Sequence, residues 1–176
     1  MAEHHPRDDF RLAAARPGIH ARRMEQDRSD FLPVEITLSE LAAWSDILPA
    51  GSRVLGASLF ADVFLADATG AVYMLEVSAG SIERIAASEG AFRERCVEDA
   101  DGWLLRASVD RCRSAGLILG PSQCYAFTTL PLFGGEYTVD NVWMCSCRDW
   151  IAFTAMMYSK TKDLPDRSTV RIVVAD

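Results

Sequence analysis

From residue 21 to residue 176 this chain contains no histidine; its three imidazoles, at positions 4, 5 and 20, all fall within the first thirty residues. A serine or cysteine nucleophile usually needs a neighbouring imidazole as its base. Cys124 and Cys145 therefore have no such base in the body of the chain, and zinc sites that use histidine are excluded there. Cations are also few: 18 Lys and Arg against 25 Asp and Glu give a net charge of −7 and an isoelectric point near 5.0. Binding along a nucleic-acid backbone requires a dense basic face, so direct nucleic-acid binding is not expected, and an acidic chain suits basic partners. No stretch of about 20 apolar residues could cross a bilayer. Residues 1–30 hold no apolar run of the roughly 7–15 residues found in secretory leaders; Leu12 to Ala15 is too short and ends at Arg16 and Pro17. The expected location is cytoplasmic, with no membrane partner. In that reducing compartment an odd number of cysteines (Cys96, Cys112, Cys124, Cys145 and Cys147) reads as free thiols.

Further signatures are missing. The only close cysteine pair is Cys145-x-Cys147, whereas a structural zinc usually draws on two pairs with wider spacing. The Gly134-Gly135 pair lies in neither the P-loop nor the dinucleotide-binding pattern, so it reads as a tight turn or bulge. No catalytic residue, metal or cofactor is assigned. An enzyme would need a pocket gathering Glu76, Glu83 or Asp62 with an arginine.

What is present suits one globular domain: 176 residues, 49% hydrophobic and 24% charged. Residues 1–30 carry six of the sixteen arginines and few large apolar side chains, and read as a flexible or weakly docked N-terminal arm, with Met24 a possible original start. The domain then spans 31–176. Thr37-Leu-Ser-Glu40 forms a capping-box pattern that predicts a helix with Leu38, Leu41, Ala42 and Trp44 on its apolar side, ending near Pro49 and Gly51. From Val54 to Ala87, short apolar runs separated by Asp67-Ala-Thr-Gly70 and Ser78-Ala-Gly80 predict an antiparallel meander. Tyr73, Leu75 and Val77 are read as its more apolar face.

Ser88 is placed as the N-cap of a helix reaching about Val97, and a second helix is expected from about Trp103 to Ala115 with Gly116 just beyond it. Leu104, Leu105, Val109 and Cys112 form its inward stripe. Gln123 to Thr128 and Thr138 to Cys145 read as strands. Arg148 to about Asp163 reads as a long helix burying Ile151, Ala155, Met156 and Tyr158, and Val170 to Val174 as a final strand. Hairpins dominate without a strand-helix-strand repeat, so the class is α+β: a largely antiparallel β-sheet of meander hairpins with helices packed on one face.

Two segments, Leu55-Gly-Ala-Ser-Leu-Phe-Ala-Asp-Val-Phe-Leu65 and Leu130-Pro-Leu-Phe-Gly-Gly-Glu-Tyr-Thr-Val-Asp-Asn141, together with the order of elements from about Ile36 onward, resemble the C-terminal domain of immunity proteins that accompany type VI secretion DNase toxins. The chain departs from that pattern at Ala61, where the resemblance implies glycine, around Thr154-Ala155 in place of a Gly-Gln pair, and at Pro165-Asp166-Arg167 in place of a Pro-x-Gly turn. The resemblance implies an immunity protein rather than an enzyme: it would bind and neutralise a cognate secreted toxin, with a nuclease effector the leading class, by non-covalent blockade. The alternative is an interaction or regulatory module of the same fold without a toxin partner. A nuclease must present basic side chains to phosphate, so the acidic cluster Glu98, Asp99 and Asp101, and the pair Glu136 and Asp140, are the candidate toxin-binding residues. Trp143, Trp150, Tyr137 and Phe133 are expected mainly in the core, and any one exposed near Glu136 would be an anchor candidate.

Overall fold

The computed structural model describes residues 30–165 and 168–170. Residues 1–29 of the N-terminal arm, and the final strand from residue 171 onward, lie outside the described residues. Four strands form an antiparallel meander in sequence order: β1 (Arg53–Ala57), β2 (Val63–Ala66), β3 (Val72–Glu76) and β4 (Ser81–Ala86). Each turn has a local cause. Between β2 and β3, Asp67 Oδ1 accepts from the amides of Thr69 (2.8 Å) and Ala71 (3.1 Å), and Gly70 takes a φ of +86°. Between β3 and β4, the Gly80 amide donates to the Glu76 carbonyl (2.8 Å), and a Cβ on Gly80 would stand 2.8 Å from the Tyr158 ring.

β2 is buried along its whole length, because apolar layers cover both faces of the meander. Alternation along the strand sends Phe64 one way and Val63 and Leu65 the other. Phe64, Val72 and Met74 pack with Phe92, Cys96 and Leu104, contributed by α1 (Glu89–Glu98) and the loop after α2 (Ala100–Trp103). Phe64 and Phe92 lie 4.9 Å apart by ring centroid, and Phe92 stacks on Trp103 at 5.9 Å. Val63, Leu65, Leu75 and Val77 instead join the larger cluster around Trp44, Phe60, Tyr125, Phe127 and Ile151. The more apolar face named from the sequence thus holds Leu75 and Val77, but Val72 and Met74 are buried too, and Tyr73 is only half-buried.

The expected helix from 103 to 115 is broken. α2 ends at Trp103, Leu105 adopts a left-handed φ of +51°, and α3 runs Arg106–Ser114. The break lowers Leu104 into the core, while Val109 and Cys112 of α3 reach the larger cluster. At the C-terminus of α3 the Gly116 amide donates to the Arg113 carbonyl (3.0 Å) and the Leu117 amide to the Cys112 carbonyl (3.0 Å), the glycine-dependent closure the sequence predicts.

A second antiparallel sheet pairs β5 (Gln123–Phe127) with β6 (Val142–Ser146). The strand expected to start at Thr138 begins only at Val142, because Val139–Asn141 form a 3₁₀ turn. The amide of Tyr125 donates to the carbonyl of Leu59 (2.8 Å), tying this sheet to the bend that precedes β2. α4 (Cys147–Thr161) is capped by Ser146, whose hydroxyl accepts from the Asp149 amide (3.4 Å), and buries Cys147, Trp150, Ile151, Thr154, Met157 and Tyr158 along one side. That stripe places Met157 inside and leaves Met156 exposed, the reverse of the sequence reading, because positions 150, 154 and 157 share a face at helical spacing.

The predicted first helix reduces to turns and a 3₁₀ segment at Ala42–Trp44. Half of the capping box forms: the Thr37 amide donates to Glu40 Oε2 (2.8 Å), but the threonine hydroxyl donates to the same carboxylate instead of receiving an amide. Leu38 is exposed, whereas Leu41 and Trp44 are fully buried. Trp44 packs on Tyr158 (6.0 Å), and Asp46 pairs with Lys162 (2.7 Å) at the end of α4. The α+β class, with antiparallel sheets and helices alongside, is as read from the sequence.

Candidate functional site

The connection from β5 to β6 is held by one side chain. Asn141 Oδ1 accepts from the Thr129 amide (2.8 Å), while its Nδ2 donates to the carbonyls of Thr129 (2.9 Å) and Glu136 (2.9 Å). The Asn141 carbonyl accepts from the Thr128 amide (2.8 Å). Pro131–Phe133 make a 3₁₀ turn closed by Gly134 at a φ of +82°. Gly135 has another reason to be glycine: a Cβ there would stand 1.8 Å from the Thr129 carbonyl oxygen. This clamp turns Leu132, Glu136, Tyr137 and Asp140 outward. Tyr137 keeps 43% of its surface exposed while its ring meets Phe127 edge to face at 5.0 Å, and Trp143 is 48% exposed on β6. Trp150 is buried and Phe133 half-buried, so Tyr137 is the exposed aromatic next to Glu136, while Trp143, across from Ala126 on β6, points to the face of the sheet opposite Phe127.

The residues of the other acidic cluster have local employment. Asp99 caps α2, its Oδ1 accepting from the Gly102 amide (3.1 Å), and pairs with Arg95 (2.9 Å). Asp101 Oδ1 accepts from the Ala107 amide (2.6 Å) in the first turn of α3. Glu98 is exposed at the end of α1. Glu98, Asp99 and Asp101 thus sit at the α1–α2–α3 junction, and Glu136 and Asp140 in the β5–β6 connection.

A further carboxyl was named from the sequence only as a possible member of an enzyme pocket. Ser58 to Asp62 form a tight bend, in which the Ser58 amide donates to the Asp62 carbonyl (2.9 Å) and the Ser58 hydroxyl accepts from the amides of Phe60 (3.3 Å) and Asp62 (3.2 Å). Ala61 takes a φ of +67° here, the conformation that favours glycine. Asp62 is 7% exposed; one carboxyl oxygen lies 3.4 Å from the Ser58 hydroxyl, and the other has no hydrogen-bond partner. Continuing the β2–β3 register one step past Val63 and Leu75 sets Asp62 across from Glu76. Burial, reinforced by the Glu76 charge, pushes the Asp62 carboxyl up to about 8, so it is mostly protonated at neutral pH. Glu83 is exposed on β4 opposite Met74, and no arginine forms an ion pair with Asp62 or Glu76 among the described residues.

Cys124 faces Cys145 across β5 and β6, and Cys147 opens α4. The neighbouring Cys145 and Cys147 thiols, with burial, hold the proton on Cys124, and the same contacts lower the other two thiols. Cys124 and Cys147 are buried and Cys145 half-buried. Among the described residues no group of three or more His, Cys, Asp or Glu side chains is arranged to hold a metal ion. A groove of about 490 Å³ lies between residues 32–38 and β1; its one cation, Arg53, is already paired with Glu89.

Residues 91–158 match the family described as T6SS immunity protein Tdi1, C-terminal. The matched segment runs from α1 through most of α4 and contains the second of the two sequence motifs; residues 36–90, with the first, lie outside it. No curated protein matches the chain. Among solved structures, the chain is similar to the crystal structure of Atu4351 from Agrobacterium tumefaciens, with 18% identity, a TM-score of 0.45, and coverage of 66% of this chain and 61% of that one. The chain therefore spans less than two thirds of that protein's length.

Proposed function

We propose that this chain, whose residues 91–158 match the C-terminal domain of the T6SS immunity protein Tdi1 family, neutralises a cognate toxin by non-covalent blockade in the cytosol. The family match is the observation that carries this reading. It extends over the elements that build the β5–β6 connection, where Glu136, Tyr137 and Asp140 are exposed. No lysine or arginine occurs from Ser114 through Cys147. A toxin that handles nucleic acid must carry a basic surface, and a cation-free acidic face complements it. A nuclease effector is the partner this charge pattern favours.

Blockade of this kind needs no group transfer: apolar and aromatic contacts supply residence time, and rim carboxylates supply encounter rate and orientation. The test is co-expression with any secreted effector encoded next to its gene, scoring growth and co-purification. Rescue of growth with a stable complex is the expected result. Failure to bind or protect, from a well-folded chain, would sink the reading in favour of an interaction module without a toxin.

A further inference from the structure

We propose that Cys145 and Cys124 form a reversible oxidation site, in which a hydroperoxide oxidises the half-buried Cys145 thiol and Cys124, directly across the sheet, resolves it as an intramolecular disulfide. The inference goes beyond the proposed function and holds whether or not the chain has a toxin partner.

Backbone hydrogen bonds fix the pairing. Cys124 and Cys145 are register partners in β5 and β6. The Thr128 amide donates to the Asn141 carbonyl (2.8 Å) at one end of this ladder and the Cys147 amide to the Ser122 carbonyl (2.9 Å) at the other, while the Tyr125 amide turns away to Leu59. Alternation therefore makes Cys124 and Cys145 a hydrogen-bonded pair, whose Cα atoms stand about 5.5 Å apart with both side chains on one face. A disulfide accepts Cα separations of roughly 4.4–6.8 Å and Cβ separations of roughly 3.5–4.5 Å. Directly opposed residues hold their Cβ atoms about 4.5–5.5 Å apart, so the bond forms with a small inward shift of the two strands. The resulting strain makes the bond readily reducible. Both thiols are free in the structure.

Access and ionisation single out Cys145 among the five cysteines. Cys96, Cys112, Cys124 and Cys147 are buried, and Cys145 is half-buried. Burial pushes the Cys96 and Cys112 thiols up. The contact with Cys124 lowers the Cys145 thiol, against burial and the charge of Asp149 in the first turn of α4, which raise it. The thiolate is the form that attacks an oxidant, and Cys145 alone joins a lowered thiol to partial exposure; Cys147 is lowered too but fully buried.

The reaction is a two-electron oxidation. The Cys145 thiolate attacks one peroxide oxygen, the O–O bond breaks, and the sulfur becomes a sulfenic acid while the other oxygen leaves as water or an alcohol. The Cys124 sulfur then attacks the Cys145 sulfur; the S–O bond breaks, and the departing hydroxide takes the Cys124 proton and leaves as water. Two thiols and one hydroperoxide thus give one disulfide, one water, and a second water or an alcohol. Thiol–disulfide exchange with a small thiol reverses the modification.

The reduced full-length protein is treated with equimolar hydrogen peroxide, alkylated and mapped by mass spectrometry. The expected product is a monomer with peptides containing Cys124 and Cys145 linked, Cys96 and Cys112 alkylated as thiols, and the link reopened by an excess of reduced glutathione. Cys145→Ser should slow peroxide consumption on the order of tenfold. Cys124→Ala should leave Cys145 as a sulfenic acid that dimedone captures. No link in the wild type, a link between two chains, any other cysteine pairing, oxidation of Cys96 or Cys112 as fast as Cys145, or a link that glutathione leaves closed would overturn the proposal. Should Cys124→Ala not fold, the wild-type map and the Cys145→Ser rate decide it.

Discussion

Gly134 and Gly135 are adjacent in the β5–β6 connection but answer to different constraints. Gly134 sits at a φ of +82° with nothing within 4 Å of where a Cβ would lie, whereas a Cβ on Gly135 would stand 1.8 Å from the Thr129 carbonyl oxygen. The tight turn read for the pair therefore rests on the positive φ of Gly134, and Gly135 is held by close backbone approach. Gly134→Ala should cost about 1 kcal/mol, the price of a left-handed alanine, and Gly135→Ala on the order of 3 kcal/mol or more, because backbone must move. Urea denaturation of the two variants checks the ranking, and a reversed order would show that the loop relaxes around Gly135. Asp62 makes a pH-dependent prediction. Its folded value of about 8 stands above the ordinary aspartate value of 3.8, so between those limits the folded chain holds an extra proton and Asp62's contribution to stability falls as pH rises. The slope approaches about 1.4 kcal/mol per pH unit in mid-range, and the loss is complete once pH passes the folded value. Asp62→Asn removes this dependence, so the variant should gain on the wild type from pH 5 to about pH 8 and level off above it in denaturant titrations. Parallel stability profiles would show that Asp62 is ionised in the folded protein.

The short helices α1 to α3 are joined by carboxylates whose roles are structural. Asp99→Ala and Asp101→Ala should each lower stability by about 1 kcal/mol, the usual worth of an N-terminal cap, while Glu98→Ala should change it little. Thermal melts of the three variants test this, and an unmoved melting temperature for Asp101→Ala would mean that the 2.6 Å contact to the Ala107 amide contributes nothing. This junction also shows what the sequence made legible and what it hid. The meander was readable because Val63 to Ala66 and Val72 to Val77 are short apolar runs bounded by Asp67 to Gly70 and Ser78 to Gly80, and Gly116 announced the end of α3. The break at Leu105 was not readable, since leucine is a good helix former and nothing local signals a left-handed conformation; burial of Leu104 overrides propensity there. Likewise Thr37 to Glu40 carries a helix-start pattern, yet Trp44 docking against Tyr158 leaves room only for 3₁₀ turns. The candidate site was partly legible. Glu136 lies beside the turn expected at Gly134-Gly135, but Asp140, read as part of a strand from Thr138, sits in a 3₁₀ turn, and the approach of Asp62 to Glu76 depends on strand register between residues far apart in the chain.

Across the whole molecule, charge is unevenly distributed, and this separates two acidic groups that the sequence alone could not rank. Asp99 and Asp101 accept backbone hydrogen bonds, and Asp99 is also paired with Arg95. Glu136 and Asp140 stand in no ion pair among the described residues, within a stretch from Ser114 to Cys147 that contains no cation. Long-range steering depends on unneutralised charge and fades once the distance exceeds the Debye length, about 8 Å at physiological ionic strength. Reversing Glu136 and Asp140 together should therefore slow association with the toxin on the order of tenfold at low salt, flatten the salt dependence of the association rate, and leave dissociation nearly unchanged. Reversing Glu98, Asp99 and Asp101 should affect the rate less, while lowering the melting temperature through the lost caps. Stopped-flow association at two salt concentrations, alongside thermal melts, distinguishes the two sets. If the α1–α3 set slows association more while stability is retained, the toxin approaches the face near Phe92 and Trp103 instead of the β5–β6 connection.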